Sequence, residues 1–399
     1  MTKCQSSSSP ERLFTGYSGQ QATLLAAGGF LIFLGRGVLP PLLPTLVDSL
    51  SITLSSAGVG LSVLWVSYAV AHYPGGRFAD HLTRKTPLVA SVGAILCGFV
   101  LLITVPTYPT FLLGVTLVGL GHGLYWPSSR GLIADLFVRR RSQALGIQVS
   151  AAAAGNALSA GVVVAALSVA TWQASFVPTL LGLACIGFLL HRWNRESYSV
   201  SKVELDVVPT VRRLFTTRRM LVLMGSYCLF VFAWLGVMNF LPSFLHAEKD
   251  FSLTVASSAY ALFYGVGIVV SPLAGNLGDR LPRLPLASGM LLVTAAGAVV
   301  FLLAESFAIV VVGVVLFAAG IWAFPPVMQA SMLASFPDES MASDFGALKT
   351  VYTAVGATGP AYVGIVAQRF GYTVAYAPFG ACLVVSAVGL LVVHRIDRA

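Results

Sequence analysis

Four basic side chains, Arg36, His122, Arg130 and Lys349, stand within or just inside the ends of long apolar runs, where polar partners are scarce. Arg36 lies in "LIFLGRGVLPPLLP", near the middle of the apolar run Ala22 to Leu46. In a hydrocarbon layer about 30 Å thick it would sit about 15 Å from either surface, too deep for its stem to reach water easily. Holding arginine at that depth costs about 2.5–3.5 kcal/mol on the lenient insertion scale, so something must offset the charge. All fifteen Asp and Glu residues fall in connections, tails or the ends of apolar runs. The missing partner can therefore be a substrate oxyanion, which a guanidinium grips bidentately. The alternative is that Arg36 bonds backbone carbonyls freed by Pro40 and Pro41, together with water. In "GLGHGLYWPSSR", His122, Trp126 and Arg130 recur every four residues and share one helix face. His122 reads as the only group at depth that titrates near neutral pH, so it is either a proton carrier or a satisfied structural histidine. Lys349, a turn or two inside the run Ser343 to Gln368, either snorkels or attracts anions.

A second kind of chemistry is electrostatic latching. "GRFADHLTRK" begins at Gly76, and "GNLGDRLPR" begins at Gly275, sharing Gly-x-(Phe/Leu)-x-Asp-(His/Arg)-x-x-Arg at an offset of 199. The same offset relates Pro127 to Pro326, and an offset of 200 relates Gly146 to Gly346. The chain therefore reads as a duplicated unit. In each copy the aspartate, Asp80 or Asp279, can accept from N–H groups at the start of a neighbouring helix, and the arginine, Arg84 or Arg283, can bridge it to another carboxylate. Asp135 is the candidate for that carboxylate in the first copy. Gly76 and Gly275 would allow close backbone approach, and Asp279 with Arg283 is expected to pack against the cytoplasmic end of the fifth span.

The elements that position these residues follow from composition. With 57% hydrophobic residues and 10% charged, and a mean hydropathy of +0.85, the chain has more apolar surface than a soluble core of its length could bury, so it is an integral membrane protein of the all-α class. Twelve apolar runs are expected as spans. The first six are Ala22 to Leu46, Ala57 to Gly75, Pro87 to Tyr108, Thr110 to Ile133, Gln143 to Leu167 and Ala174 to Trp193. The second six are Met220 to Leu245, Thr254 to Ala274, Leu284 to Leu303, Phe307 to Leu333, Ser343 to Gln368 and Val374 to His394. The organisation is thus a tail (1–20), one six-helix bundle (21–193), a polar linker (194–219), a second bundle (220–394) and a short C-terminus (395–399).

Of the 24 Lys and Arg residues, 19 fall on the side of the N-terminus, among them Arg139, Arg140, Arg141, Arg212, Arg213, Arg218 and Arg219, three fall within spans, and Lys249 and Arg369 lie opposite. By the positive-inside rule both termini are expected to be cytoplasmic, and the net charge of +9 needs no nucleic-acid partner. The head of the chain shows no cleavable signal pattern and reads as a disordered tail. The five cysteines are scattered without metal-like spacing, so no metal or other cofactor is expected. The six histidines are dispersed, with no nucleophile and base at one depth, which argues against an enzyme.

On the repeated motif and the six-plus-six organisation, the chain resembles the major facilitator superfamily, whose signature Gly-x-Leu-x-Asp-Arg-x-Gly-Arg-Lys is met by Gly76, Phe78, Asp80, His81, Thr83, Arg84 and Lys85, with Phe78, His81 and Thr83 as departures. The resemblance implies two six-helix bundles about a central cavity that opens alternately to each side, with substrate near the midplane. It also implies that Asp80 meets the start of the eleventh span. The run from Arg36 to Gly76 is similar to the anion:cation symporter branch, which carries Arg in its first span, a Tyr as at Tyr68, and Pro-Gly-Gly before the signature. That branch's acid beside the first-span Arg is here Gly35, its fourth-span Glu falls at His122, and the Arg seven residues earlier falls at Val115. An antiporter signature in the fifth span is incomplete, with Asn156 in place of Pro. The function expected is transport of a small organic or inorganic anion, with protons as a coupling ion if His122 replaces the missing acids. Arg36, Tyr68, His122, Trp126 and Lys349 are the expected substrate site, in a monomer of the cell membrane (inner or plasma) surrounded by lipid. The alternative is an exporter of neutral or amphipathic drugs or metabolites.

Overall fold

The computed structural model describes residues 13–104, 107–201, 203, 215, 217–336 and 341–398. Among the described residues the chain is helical, with no strand. The first half comprises α1 (Gly16–Gly37), α2 (Leu39–Ser49), α3 (Leu54–His81), α4 (Lys85–Thr104), α5 (Tyr108–Leu136), α6 (Arg141–Val169) and, after a 3-10 turn (Trp172–Phe176), α7 (Val177–Trp193). The second comprises α8 (Arg218–Ala247), α9 (Leu253–Arg280), α10 (Arg283–Leu303), α11 (Phe307–Leu333), α12 (Met341–Gly356), α13 (Thr358–Phe370) and α14 (Tyr372–Ile396).

Among the described residues, nine helices are each long and apolar enough to cross a membrane, and ten if α1 and α2, bent by 40°, count as one broken span. The two expected runs outside that set are α5 and the pair α12 and α13. Both have a physical reason: α5 carries His122, Trp126 and Arg130 on one face, and the other is broken at Ala357 and carries Asp344 and Lys349. The α1/α2 break follows from Pro40 and Pro41, whose missing N–H groups are harmless only in the first turn of a new helix. The expected tail is also shorter than 1–20, since α1 starts at Gly16.

The repeated motif is mostly helix. Gly76 to His81 form the last turns of α3, and Gly275 to Arg280 those of α9. The close approach expected at Gly76 lies one residue earlier. A Cβ on Gly75 would come 3.0 Å from the Gly123 carbonyl oxygen, whereas one on Gly76 or Gly275 would meet open space.

Without a hydrophobic drive between helices in lipid, close approach of backbones at small residues supplies much of the packing. Gly123 on α5 is one such point. A Cβ there would lie 2.5 Å from the Tyr68 carbonyl oxygen of α3, so the missing side chain is what brings His122 beside Tyr68. The halves meet where α3 crosses α12 and α13, where α6 packs on α9, and where α2 packs on α8. At the N-terminal end of α3, the Ser55 N–H donates to Gln368 Oε1 at 2.9 Å and the Ala361 N–H donates to Ser62 Oγ at 2.8 Å. Gly58 lies between them, where a Cβ would sit 2.5 Å from the Pro360 carbonyl oxygen and 3.0 Å from Gly364 Cα. Because backbone cannot yield as a side-chain tip can, Gly58→Leu should cost this contact about 1–3 kcal/mol. The expected result is a transport rate reduced about tenfold or more with helical content by circular dichroism retained; a wild-type rate would show that the contact is dispensable.

Candidate functional site

Between the halves lies a cavity of about 270 Å³. The first half contributes Phe33 and Arg36 from α1, Trp65 and Tyr68 from α3, His122, Trp126 and Arg130 from α5, and Asn156 from α6. The second half contributes Tyr227 and Trp234 from α8, Tyr264 from α9, Trp322 and Gln329 from α11, and Lys349 and Tyr352 from α12. All five residues expected at the substrate site from sequence therefore face one space. No carboxylate is among the lining residues.

Arg36 is held by rings. Its guanidinium carbon lies 4.6 Å from the ring centroid of Phe33, one turn earlier on α1, and 4.6 Å from that of Trp65 on α3. Cation–π contacts of this kind return about 0.5–2 kcal/mol each, part of the cost of burying the charge. Arg36 also borders a small adjoining void lined by Leu61, Leu64, Met238 and Tyr260. The same aromatic strip continues downwards. Phe33 lies 5.2 Å from Trp126, and the Arg130 guanidinium carbon lies 4.6 Å from the Trp126 ring. Arg130 and Lys349 both line the cavity, where their like charges repel.

His122 is 1% exposed, and neither ring nitrogen has a hydrogen-bond partner among the described residues. It is packed by Phe33 edge-on at 4.8 Å and by Tyr68 at 4.7 Å. No described residue satisfies the His122 ring by a hydrogen bond. A buried imidazole with both nitrogens unpaired is completed by water or a ligand. Asn156 Oδ1 is similarly unpaired at the cavity wall.

His122 is not the only histidine at depth. His72 on α3 is 8% exposed, its ring lies 5.3 Å from Tyr68, and its Nδ1 is unpaired among the described residues. The signal was present in the i, i+4 spacing of Tyr68 and His72. The ring wall of the second half was less visible, because Tyr227, Trp322 and Tyr352 read as core residues of apolar helices. Tyr227 packs on Tyr352 at 4.3 Å and accepts a hydrogen bond from Gln329 Nε2 at 2.8 Å.

Of the latch residues, Arg84 Nε donates to Asp135 Oδ2 at 2.9 Å, joining α4's approach to the end of α5. The side chain of Asp80 lies outside the described residues. Asp344, in the first turn of α12, is buried. In the second copy Asp279 is exposed, and Arg283 Nη1 donates to the Ala330 carbonyl oxygen at 3.3 Å, within the second half, with no carboxylate partner among the described residues. At the offset of 199 the counterpart of Asp135 is Ala334, and the next acids along the chain, Asp338 and Glu339, lie outside the described residues. Because the Asp135 side chain is 54% exposed, Asp135→Asn should cost less than about 1 kcal/mol of stability. Its expected effect is slower transport at a nearly unchanged melting temperature. An unchanged rate would leave the pair without a gating role.

The family model for the Major Facilitator Superfamily matches residues 25–360 and 248–398. The "Probable sulfoacetate transporter SauU" of Cupriavidus necator is 26% identical, covering 92% of this chain and 91% of that protein. The "Probable 4-methylmuconolactone transporter" of Cupriavidus pinatubonensis is 27% identical over 61% of this chain and 59% of its own length. Among solved structures, a mutant of the peptide transporter POT superposes with a TM-score of 0.80 at 16% identity, covering 96% of both chains, which is a likeness of fold. The chain belongs to the major facilitator superfamily, and it is a multi-pass membrane transporter rather than an enzyme.

Proposed function

We propose that the chain is a secondary active transporter that moves a small organic anion across the cell membrane by alternating access. In this reading it crosses the membrane twelve times as two six-helix bundles (21–193 and 220–394), works as a monomer, and has both termini in the cytoplasm. The observation that carries the reading is a cavity lined by Arg36, Arg130, Lys349 and His122 with no carboxylate among its lining residues. An oxyanion 4 Å from Arg36 would gain about 4 kcal/mol at an effective dielectric near 20, comparable to the cost of burying the arginine. The sulfoacetate transporter that resembles the chain over nearly its whole length supports an organic acid of that kind as the substrate. His122 is the proton-carrying candidate, since its unpaired ring lies among Arg36, Tyr68 and Lys349, and a bound anion would balance the charge a proton adds there. The latch pair Arg84 and Asp135, with Asp80, would hold the cytoplasmic face closed in one half of the cycle.

The aromatic walls favour a second reading, export of neutral or amphipathic compounds, in which ring stacking rather than charge binds the cargo. The Arg36 variants separate the two. Lysine keeps the charge but loses the planar fork. Arg36→Lys should therefore weaken sulfoacetate binding about tenfold or more, a loss of about 1.4 kcal/mol, and Arg36→Ala should nearly abolish it. Full affinity in Arg36→Ala, measured on purified protein, would overturn the anion reading. For coupling, His122→Gln should abolish uptake driven by an imposed pH gradient in proteoliposomes while sparing downhill exchange. Undiminished gradient-driven uptake would assign His122 a structural role.

A further inference from the structure

The cations of the cavity stand in two groups. Arg36 occupies one end, ringed by Phe33 and Trp65 and bordering a small void lined by Leu61, Leu64 and Tyr260. Arg130 and Lys349 occupy the other end. His122 and Arg130 share one face of α5 eight residues apart, about 12 Å along the axis. Between the groups runs the strip formed by Phe33 and Trp126, whose centroids are 5.2 Å apart and each of which carries one guanidinium at 4.6 Å. Neither guanidinium nor Lys349 has a carboxylate partner among the described residues. A single acidic group can neutralise only one of these ends. It leaves the other charge buried and unbalanced, with Arg130 and Lys349 still repelling each other.

We infer that the cavity is built for a two-headed dianion, with one acidic group on Arg36, the other between Arg130 and Lys349, and a short apolar spacer lying along Phe33 and Trp126. This rests on the anion reading above and narrows it. Arg130 and Lys349 become specificity-determining residues: they select the second charge, while Arg36 supplies the first. The spacer has to be short because Phe33 and Trp126, each of which carries one guanidinium, are 5.2 Å apart, and it has to be apolar because rings of both halves face it.

The test compares sulfoacetate with acetate and methanesulfonate, each of which carries one of its two heads, by binding to purified full-length protein in detergent. The expected result is sulfoacetate binding at least about tenfold tighter than either monoanion. In Arg130→Gln with Lys349→Gln the preference should shrink to about threefold or less, because the end that recognises the second head has gone. Arg130→Lys, which keeps the charge, should retain most of it. Equal wild-type affinity for sulfoacetate and methanesulfonate would overturn the two-headed assignment and leave the anion reading standing, and this comparison needs no variant to fold. An undiminished preference in the double variant would also overturn the assignment. Binding of none of the three would overturn both readings.

Discussion

The arrangement depends on the cost of holding positive charge inside a membrane-spanning fold without a negative partner on the protein. Three cations and a histidine face one cavity that has no carboxylate on its wall. A buried charge that is neither paired nor hydrated costs several kcal/mol. The cavity meets that cost in two ways that are visible in the structure. Aromatic faces lie against both guanidiniums, and the space between the halves is large enough to hold water or a ligand. Filling the cavity with apolar side chains would remove the second compensation and strand the charges. The cavity and the cations therefore require each other.

That constraint also explains which helices are irregular. The break between α1 and α2 falls at Val38, two residues beyond Arg36, and the break between α12 and α13 falls at Ala357, five beyond Tyr352. Non-helical backbone at membrane depth is tolerated where it is buried in protein or lines a wet space. α5 stays continuous but carries the polar face, and its glycines let it approach α3 closely enough to bury His122 under Tyr68. Two helices that fail a simple test of length and apolarity, α5 and α12, line the cavity together with α3, α6, α8, α9 and α11, which pass it. α4, α10 and α14 pass it and contribute no lining residue.

Much of this was legible in the sequence. The face His122, Trp126 and Arg130 follows from a spacing of four, and Arg36 is conspicuous because a charge in an apolar run has no local excuse. The pairing of Arg84 with Asp135 was also legible, since both stand at the ends of consecutive apolar runs. What the sequence withheld was anything that depends on which helices touch. The rings over Arg36 come from α1 and α3, and nothing in the spacing within one helix joins Phe33 to Trp65. In the second copy Ala334 stands where the repeat of Asp135 would be, so repeat symmetry alone does not supply a carboxylate for Arg283. His72 was passed over although it lies one turn from Tyr68, because the residue types there read equally well as core.

The duplication leaves the two halves alike in fold and unlike in chemistry. Arg36, His122 and Arg130 all belong to the first half, whereas the second contributes Tyr227, Trp234, Trp322 and Tyr352 and a single cation, Lys349. Coulomb attraction falls off slowly with distance, while ring contact is lost within an ångström or two of separation. A substrate held mainly by the charges of one half would thus stay bound as the halves rock, while its contacts with the rings of the other half are made and broken. In the proposed cycle the first half carries the cargo and the second senses whether it is there, and Lys349 is the one charge that reports occupancy across the interface. The asymmetry of charge gives a duplicated scaffold two distinct roles, and that division is what a rocking pair of identical halves would lack.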